Sequence, residues 1–366
     1  RYILGFTYRR DGSTQFGDDK KYGNFPGLSA KWIISDESFM DITSHWLSML
    51  AIRPSWGISG NQPGQEYLHF SRYASYGSYA GMPATRPTTL RLSDLSWEKT
   101  TSLNYGIDIG LFDDRYMFDI NFYNRRTEDL LFKNLGLPAS SGFGGVAWQN
   151  VGTMGNNSWE FNFYTVNALR GQDFSLDFNF NLSNYVNTIV ELREDVLRSH
   201  NADYNFNNGS YLTRIQENNS YGSIYGFRYK GVYQYDTHIP GVQENAPVAR
   251  DENGEVFVDE YGRPLPMVFA YNRSNEYRFR GGDAIYEDIN YDGSIDELDI
   301  VYLGNSNPKV NGGFGLTLRY KRLAIVPFFN FRYGNKIVNS ARMHAENMYS
   351  NNNQSVAVNW RWRKDG

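Results

Sequence analysis

Cysteine is absent from this chain of 366 residues, which excludes a disulfide framework and metal sites built from thiolates. Runs of basic residues are also lacking and the formal net charge is -4, so the electrostatic footprint of nucleic-acid binding is missing. No run of 18 apolar residues occurs, which excludes a transmembrane helix. The mean hydropathy of -0.58 still allows a transmembrane β-barrel, because such a barrel is apolar on alternate residues only.

Residues that suggest catalysis are few. The five histidines are scattered, and no HExxH, GxSxG, P-loop or CxxC spacing appears. Carboxylates are numerous, but no two of them stand out as a glycosidase pair. We therefore predict that the protein is not an enzyme and has no catalytic cofactor.

An initiator methionine and a signal peptide are also missing, and the chain starts directly in a strand pattern. We therefore expect it to be a fragment of a longer protein. Aromatic residues make up 16% of the chain, with 28 Tyr and 24 Phe, and there are 35 Gly. This composition favours strands and turns over helices.

Apolar and polar residues alternate in many short segments. The clearest case is a hairpin in which residues 103–111 and 116–123 alternate on either side of a turn at Asp113 and Asp114. Similar patterns predict nine or ten strands, each long enough to cross a membrane at a tilt. The other predicted strands cover residues 1–10, 27–35, 47–59, 159–169, 174–183, 314–320 and 323–333, with a further strand starting after residue 334.

The connections between these strands alternate between short and long, which is typical of an outer-membrane barrel. Short connections are predicted near residues 36–45, 113–114, 170–171 and 321–322. The longest connection, residues 191–311, is predicted to be a large extracellular loop region. The fold class that follows is all-β, a transmembrane antiparallel β-barrel with long extracellular loops, and residues 1–366 form part of that barrel.

Aromatic residues cluster near both ends of the predicted strands, as two membrane interfaces would require. One set is Trp32, Trp46, Phe112, Tyr116 and Phe174, and the other is Tyr8, Trp56, Tyr123, Trp159, Tyr185 and Tyr333. A soluble β-sandwich or β-helix is the alternative, but its polar face is usually rich in Lys, Glu and Thr. Here that face carries Gly, Asn, Asp and Ser, which suits a hydrated lumen.

One loop has the spacing of an oxygen-ligand calcium site. Its ligand positions one, three, five, seven, nine and twelve are Asp288, Asn290, Asp292, Ser294, Asp296 and Asp299. Ser294 would offer its backbone carbonyl, and Gly293 would allow a sharp turn at position six. Four aspartates in one short loop repel each other unless a cation neutralises them. We expect a structural Ca²⁺; magnesium, or a solvated turn without metal, remains the alternative.

Two loops are rich in tyrosine and are candidates for substrate binding, because aromatic faces stack on sugar rings and also suit peptides and protein partners. The first contains Tyr67, Phe70, Tyr73, Tyr76 and Tyr79. The second contains Tyr225, Tyr229, Tyr233 and Tyr235. Packing of these residues within the loops is the alternative.

An ordered set of short motifs resembles the SusC/RagA family, the TonB-dependent outer-membrane transporters of Bacteroidota. The motifs are Arg10-Asp11-Gly12-Ser13 with Phe16, Phe25-Pro26 with Trp32, Gly57-Ile58-Ser59-Gly60-Asn61-Gln62, Trp97-Glu98-Lys99-Thr100, Asn150-Val151-Gly152 with Asn156, Asp288–Gly293 with Gly304 and Pro308, and Gly312-Gly313-Phe314. Single motifs are weak, but the ordered set is specific and covers essentially the whole chain. The match corresponds to the later part of the family's barrel, without its plug domain, TonB box and early strands.

The resemblance implies a complete protein with a plugged barrel of about 22 strands in the outer membrane of a Gram-negative bacterium. It would import oligosaccharides or oligopeptides with energy supplied through TonB. A surface lipoprotein of the SusD type would close over it as a lid, and two such pairs could form a dimer. A passive barrel or adhesin, and a soluble glycan-binding module, are the alternative functions.

Overall fold

The computed structural model describes residues 1–201, 212–213, 215–271, 276–347, 351 and 353–365. Two α-helices occur in this part of the chain, α1 (Glu194–Asn201) and α2 (Ser340–Glu346). The 3-10 segments are Asp18–Lys20, Ile34–Asp36, Ser38–Thr43, Ala139–Ser141, Glu297–Asp299 and Val356–Trp360. Among the described helices, none combines the length and the apolar character needed to cross a membrane.

Strands make up most of the regular structure. In chain order they are β1 (Tyr2–Gly12), β2 (Tyr22–Ile33), β3 (Leu47–Asn61), β4 (Tyr73–Tyr79), β5 (Met82–Pro87), β6 (Glu98–Leu111), β7 (Tyr116–Glu128), β8 (Leu131–Gly136), β9 (Gly145–Asn150), β10 (Gly152–Thr165), β11 (Leu169–Arg170), β12 (Phe174–Leu192), β13 (Leu212–Thr213), β14 (Ser223–Gly226), β15 (Tyr229–Val232), β16 (Val268–Phe269), β17 (Tyr277–Arg278), β18 (Ala284–Tyr286), β19 (Ser294–Ile295), β20 (Val301–Asn305), β21 (Val310–Tyr320), β22 (Leu323–Ile325) and β23 (Phe328–Tyr333).

The chain divides into two compact units. The first comprises Arg1–His200, Ile215–Tyr221 and Asn307–Asn335. The second comprises the described parts of Asn201–Arg214, Gly222–Ser306 and Lys336–Gly366.

An antiparallel sheet of 11 strands dominates the first unit. Its order is β1-β2-β3-β6-β7-β10-β12-β21-β22, with β11 added beside β12 and β23 beside β21. Strands that follow one another in this path are joined by the chain in the same order, which is the up-and-down topology of a barrel wall. The sheet is open, because no pairing joins β1 to the last strands among the described residues.

The strand register brings apolar residues into one row across the sheet. Ile52, Ile107, Ile120, Phe161 and Leu182 lie opposite each other on five successive strands. Because side chains alternate between the two faces, these residues share one face. These five residues are half-buried, but Tyr105, Phe122, Phe178 and Phe314 on the same face are exposed. An exposed apolar surface of this kind is typical of contact with a membrane.

The opposite face carries the neighbouring row of residues. There Ala51, Asp108, Asp119, Asn162 and Asn181 lie opposite each other on the same five strands. The predicted alternation of an apolar and a polar face is therefore confirmed across the centre of the sheet.

The connections at one end of the sheet are short. The β6–β7 turn places Phe112, Asp113 and Asp114 at φ values of 54, 57 and 59°, and the Ser48 hydroxyl accepts a hydrogen bond from the Asp114 amide at 2.9 Å. At the other end, β3–β6 and β7–β10 are joined by long segments. The first strands do not follow this contrast between short connections at one end and long connections at the other. Residues 13–21, which join β1 to β2, form a shorter connection than residues 34–46, which join β2 to β3.

Several predicted boundaries were wrong. β10 begins at Gly152 rather than Trp159, and β12 continues to Leu192. Hairpins β4–β5 and β8–β9 lie within segments that were predicted to be loops. The last predicted strand is interrupted between β22 and β23 at Pro327, which has no amide hydrogen to donate to the sheet. After residue 334 the described residues form helical segments rather than a further strand.

Two of the predicted aromatic residues lie on the polar face. Tyr123 and Tyr185 are both paired with Ser158, and the Tyr185 hydroxyl donates to Asn156 Oδ1 at 2.6 Å. Side chains alternate between the two faces of a strand, and the register places these two tyrosines on the same face as Ser158. Trp56, Trp159 and Tyr333 keep the apolar side that the sequence predicts.

The second unit is built around an aromatic core. Phe227, Tyr233, Met267, Tyr271, Phe279 and Ile295 form its buried cluster. Short strand pairs surround the cluster, including a parallel pairing of β16 with β19. Residues 222–306 of this unit fall within the predicted loop region 191–311; residues 202–211, 214 and 272–275 of that region lie outside the described residues.

Candidate functional site

Three groups of residues in the structure are candidates for function: a charged network on the polar face of the sheet, a cavity between two long connections, and the carboxylate loop of the second unit. Each is built by a different part of the chain.

The charged network is centred on Arg53 of β3. Its guanidinium contacts Asp108 Oδ1 at 2.6 Å and Oδ2 at 2.9 Å, and it contacts Asp119 Oδ2 at 2.6 Å. Lys31 Nζ lies 3.1 Å from Asp108 Oδ2. A Cβ at Gly106 would lie 2.9 Å from the Arg53 guanidinium carbon, so the glycine leaves the space that the guanidinium occupies.

The network was not predicted from the sequence, although one signal was present. Asp108 and Asp119 lie directly opposite each other across the β6–β7 hairpin, and like charges in that position destabilise a sheet. The hairpin pattern therefore required a cation nearby. Only the register of β3 identifies that cation as Arg53.

The second candidate is a cavity of about 390 Å³ in the first unit. It is lined by Gln65, Tyr67, Leu68, Phe70, Arg72, Thr89, Leu90, Leu92, Gly144, Gly145, Val146 and Ala147. These residues come from two connections, β3–β6 and β7–β10. Buried Leu68 and Val146 provide its apolar base, while Tyr67 and Phe70 are exposed with ring centroids 6.5 Å apart.

The predicted aromatic loop is thus divided between two places. Tyr67 and Phe70 line the cavity, whereas Tyr73, Tyr76 and Tyr79 lie on β4 of the β4–β5 hairpin and are exposed. The Arg86 guanidinium lies over the Tyr76 ring, 4.2 Å from its centroid. The spacing of three residues does not form one aromatic surface, because Tyr67 and Phe70 precede β4. Within β4 the period of two is interrupted by a register shift between Ser75 and Ser78.

The second predicted tyrosine set is divided between the interior and the surface: Tyr225 and Tyr233 are buried, Tyr229 is exposed and Tyr235 is half-buried. Tyr225 is 6% exposed and packs edge-on against Tyr302, with ring centroids 5.8 Å apart. Tyr233 belongs to the aromatic core of the second unit. Burial raises the pKa of Tyr233 to about 12, and the Asp288 carboxylate adds to this effect. Tyr225 therefore has little surface to offer a substrate, while Tyr233 borders a surface groove of about 650 Å³ beside Asp288.

In the carboxylate loop, residues 288–299, one hydrogen bond joins the two ends and another closes the turn in its first half. Asp299 Oδ1 accepts from the Ile289 amide at 2.7 Å, and Asp288 Oδ2 accepts from the Gly293 amide at 2.8 Å. Gly293 has a φ of 83°, so the turn expected at position six is present. Positions one and twelve of the loop are therefore brought near each other, as a calcium loop requires.

The remaining predicted ligands also contact backbone amides. Asp292 Oδ1 accepts from the Ser294 amide at 2.8 Å, and Asp296 Oδ1 accepts from the Leu298 amide at 2.8 Å. Asn290 Nδ2 donates to Asp292 Oδ2 at 2.8 Å. Among the described residues, no three acidic or histidine side chains are gathered as closely as a metal site needs.

Burial gives this loop its unusual electrostatics. Asp299 is 0% exposed and Asp288 is 8% exposed. Burial raises the pKa of both carboxyl groups, although the backbone amides that they accept from act in the opposite direction. The oxygen donors present are of the type that a hard cation such as Ca²⁺ prefers. Their chemistry fits the predicted ion, but the described carboxylates would have to move closer together to hold it, so its binding stays a prediction.

Antiparallel strands paired in an up-and-down order, with one apolar face and one polar face, define the wall of a membrane β-barrel. Solved structures share this fold. The chain aligns with the structure of the RagAB peptide transporter at a TM-score of 0.65 and 22% identity, covering 94% of this chain and 33% of that one. The open-open state of the RagAB peptide importer aligns at a TM-score of 0.60, with 20% identity, 91% of this chain and 31% of that one.

Sequence relatives agree with this class. TonB-dependent receptor P39 of Formosa agariphila is 31% identical over 349 residues, which are 92% of this chain and 32% of the receptor. TonB-dependent receptor SusC of Bacteroides thetaiotaomicron is 27% identical over 362 residues, 96% of this chain and 32% of that receptor. No protein-family model matches the chain. The chain is homologous to TonB-dependent receptors of the SusC/RagA family, which confirms the predicted resemblance, and it spans about a third of their length.

Proposed function

We propose that the chain forms part of the barrel wall of an active importer in the outer membrane of a Gram-negative bacterium. The observation that carries this proposal is the pair of opposite rows across the sheet, apolar on one face and polar on the other. Such a wall faces lipid on one side and a hydrated interior on the other. Its relatives are receptors and transporters rather than enzymes, which supports a role in transport without covalent chemistry.

The complete receptor would take up an oligosaccharide or an oligopeptide, with TonB supplying the energy. A SusD-like lipoprotein would serve as its lid, and two receptor–lipoprotein pairs would form a dimer. The names of the relatives support the dependence on TonB. In this proposal, the exposed aromatic residues Tyr67, Phe70, Tyr73, Tyr76 and Tyr79 contact the substrate or the lid.

Uptake is expected to depend on TonB. Ligand that co-purifies with the full-length receptor would be identified by mass spectrometry, labelled, and offered to cells with and without TonB. Accumulation should fall to the level of cells that lack the receptor when TonB is depleted. Accumulation that continues without TonB would favour a passive barrel, and recovery of the receptor in the soluble fraction without detergent would exclude a membrane wall.

We also propose that the carboxylate loop binds a structural Ca²⁺. Asp288 and Asp299 are buried, and a cation would neutralise their charges. The residues that would hold it are Asp288, Asn290, Asp292, Asp296 and Asp299 through their side chains and Ser294 through its carbonyl. A bound ion would stabilise a loop that consists mainly of turn-forming residues.

Calcium titration of the full-length receptor is expected to show binding that Asp288→Ala combined with Asp292→Ala weakens. Asp251→Ala combined with Asp259→Ala is the matched control, because these carboxylates also accept from backbone amides two and four residues ahead but belong to no twelve-residue loop. Equal calcium affinity in the first double variant and the parent would show that the loop is only a turn.

The stabilisation by calcium is expected to increase with pH. Because burial raises the pKa of Asp288 and Asp299, folding favours their protonated forms. In their protonated forms these two carboxyl groups add to the free energy of unfolding. This contribution is complete below the ordinary aspartate pKa and is lost as the pH rises through the raised pKa values of the folded protein. Calcium binds the ionised forms of the carboxyl groups. The rise in unfolding temperature that calcium causes should therefore be smallest at acidic pH and largest at a pH above the raised pKa values. A rise that is independent of pH would contradict this linkage.

A further inference from the structure

The cavity between the β3–β6 and β7–β10 connections has the character of a ligand site. Its volume of about 390 Å³ lies in the range of small-ligand pockets, roughly 300–1,000 Å³. Its base is apolar and its rim carries two exposed aromatic rings, Tyr67 and Phe70. Exposed aromatic residues beside an apolar cavity are characteristic of recognition sites.

The backbone at the rim is strained. Tyr67 has a φ of 57°, a left-handed conformation that is uncommon for a bulky side chain. Strained backbone of this kind is often found at ligand sites. At this position it accompanies a tyrosine ring at the edge of the cavity.

The charge in the cavity has one sign. Arg72 is the charged residue in the described lining, and it makes no ion pair with any described acidic side chain. Its guanidinium has a hydrogen bond to the Glu66 carbonyl oxygen at 2.9 Å. A guanidinium has five N–H donors, so it retains donors for an anionic ligand.

We propose that this cavity binds an oligopeptide by an apolar C-terminal residue, whose side chain enters the cavity and whose carboxylate pairs with Arg72. The proposal rests on the importer function and adds the substrate class and its binding residues. A sugar fits less well, because its many hydroxyls require partners, while the polar side chains of the lining are limited to Gln65, Tyr67, Arg72 and Thr89 and include no carboxylate. Leu68, Leu90, Leu92 and Val146 instead match an aliphatic or aromatic side chain.

Gly144 offers a way to fill the cavity without disturbing the fold. A Cβ at this position would have no atom within 4 Å, so Gly144→Leu places a side chain in open space. Gly136→Leu is the matched control, since Gly136 has equally open surroundings on the same β8–β9 hairpin and does not line the cavity. Circular dichroism and heat-modifiable mobility would verify that both variants remain folded.

The probes are pentapeptides that end in Leu, Phe or Ser, each as a free acid and as an amide, together with maltopentaose. Binding to the purified full-length receptor would be measured by isothermal titration. Gly144→Leu is expected to weaken binding of the Leu and Phe peptides by about tenfold to a hundredfold, the worth of one buried apolar side chain. The Ser peptide, and every probe with Gly136→Leu, should be affected much less.

Arg72 provides an independent test. Arg72→Gln is expected to weaken binding of the free acids by about tenfold and to leave the amides unchanged, while Arg72→Lys should retain part of the preference for the acid. Equal losses for acid and amide, or full binding of the Leu peptide to Gly144→Leu, would overturn the inference. Binding of maltopentaose but of no peptide would also overturn the inference of a peptide site. The importer proposal would still be supported in that case if uptake depends on TonB.

Discussion

Replacement of Asp299 by alanine is expected to destabilise the carboxylate loop by about 2–3 kcal/mol. The Asp299 carboxylate accepts from the Ile289 amide at 2.7 Å and from the Asp296 amide at 2.9 Å. It is 0% exposed, so water cannot replace it as an acceptor without opening the loop. The loss of the buried charge offsets part of this effect, since burial disfavours the carboxylate.

The measurement is hydrogen–deuterium exchange of the full-length receptor without added calcium. The amides of Ile289 and Asp296 should exchange at least about tenfold faster in the variant, because local opening becomes easier. Leu298→Ala is the control. Leu298 lies in the same 3-10 segment and is 64% exposed, so its loss should have little effect. Unchanged protection at both amides would show that Asp299 does not close the loop.

Substitution of Arg53 by methionine is expected to destabilise the sheet by about 1–3 kcal/mol. Asp108 and Asp119 would then lie opposite each other on adjacent strands without the guanidinium between them. The side chains are partly exposed, 35% for Arg53 and 17% for Asp108. Solvent therefore reduces the effect below that of a fully buried pair.

A double-mutant cycle separates the ion pair from other consequences of the substitution. Arg53→Met and Asp108→Asn together should destabilise the full-length receptor less than the sum of the two single changes, by at least about 1 kcal/mol. Thermal unfolding in detergent and chemical unfolding would both report this difference. Arg9→Met, which removes an exposed ion pair with Asp11, should change stability by less than about 1 kcal/mol. Strict additivity at Arg53 and Asp108 would contradict the proposed network.

The strands could be predicted because their pattern is local. The alternation in residues 103–111 and 116–123 is repeated in β6 and β7, and each residue's face follows from its immediate neighbours. Boundaries were less accurate where strands continue into polar residues. β12 extends to Leu192 because it keeps its pairing with β10, and this contact between distant segments is not visible in the pattern of β12 alone.

The same distinction applies to the candidate sites. The spacing of Asp288, Asn290, Asp292, Asp296 and Asp299 predicted the loop and its sharp turn, since the loop is a single short segment. Whether its carboxylates are buried depends on the core of the second unit, which is assembled from residues 227–295. The same core explains why the sequence could not distinguish the largely buried Tyr233 from an exposed tyrosine.

Periodicity and motifs in the chain were sufficient for the fold class, the two faces, most of the short connections, and the family. Tertiary structure alone decided that Arg53 neutralises Asp108 and Asp119, that Tyr225 is buried, and that Tyr67 and Phe70 share a cavity with Gly144. The physical reason is one of range. Alternation depends on residues two positions apart, whereas ion pairs and cavities depend on strand register and on loops that meet from distant parts of the chain.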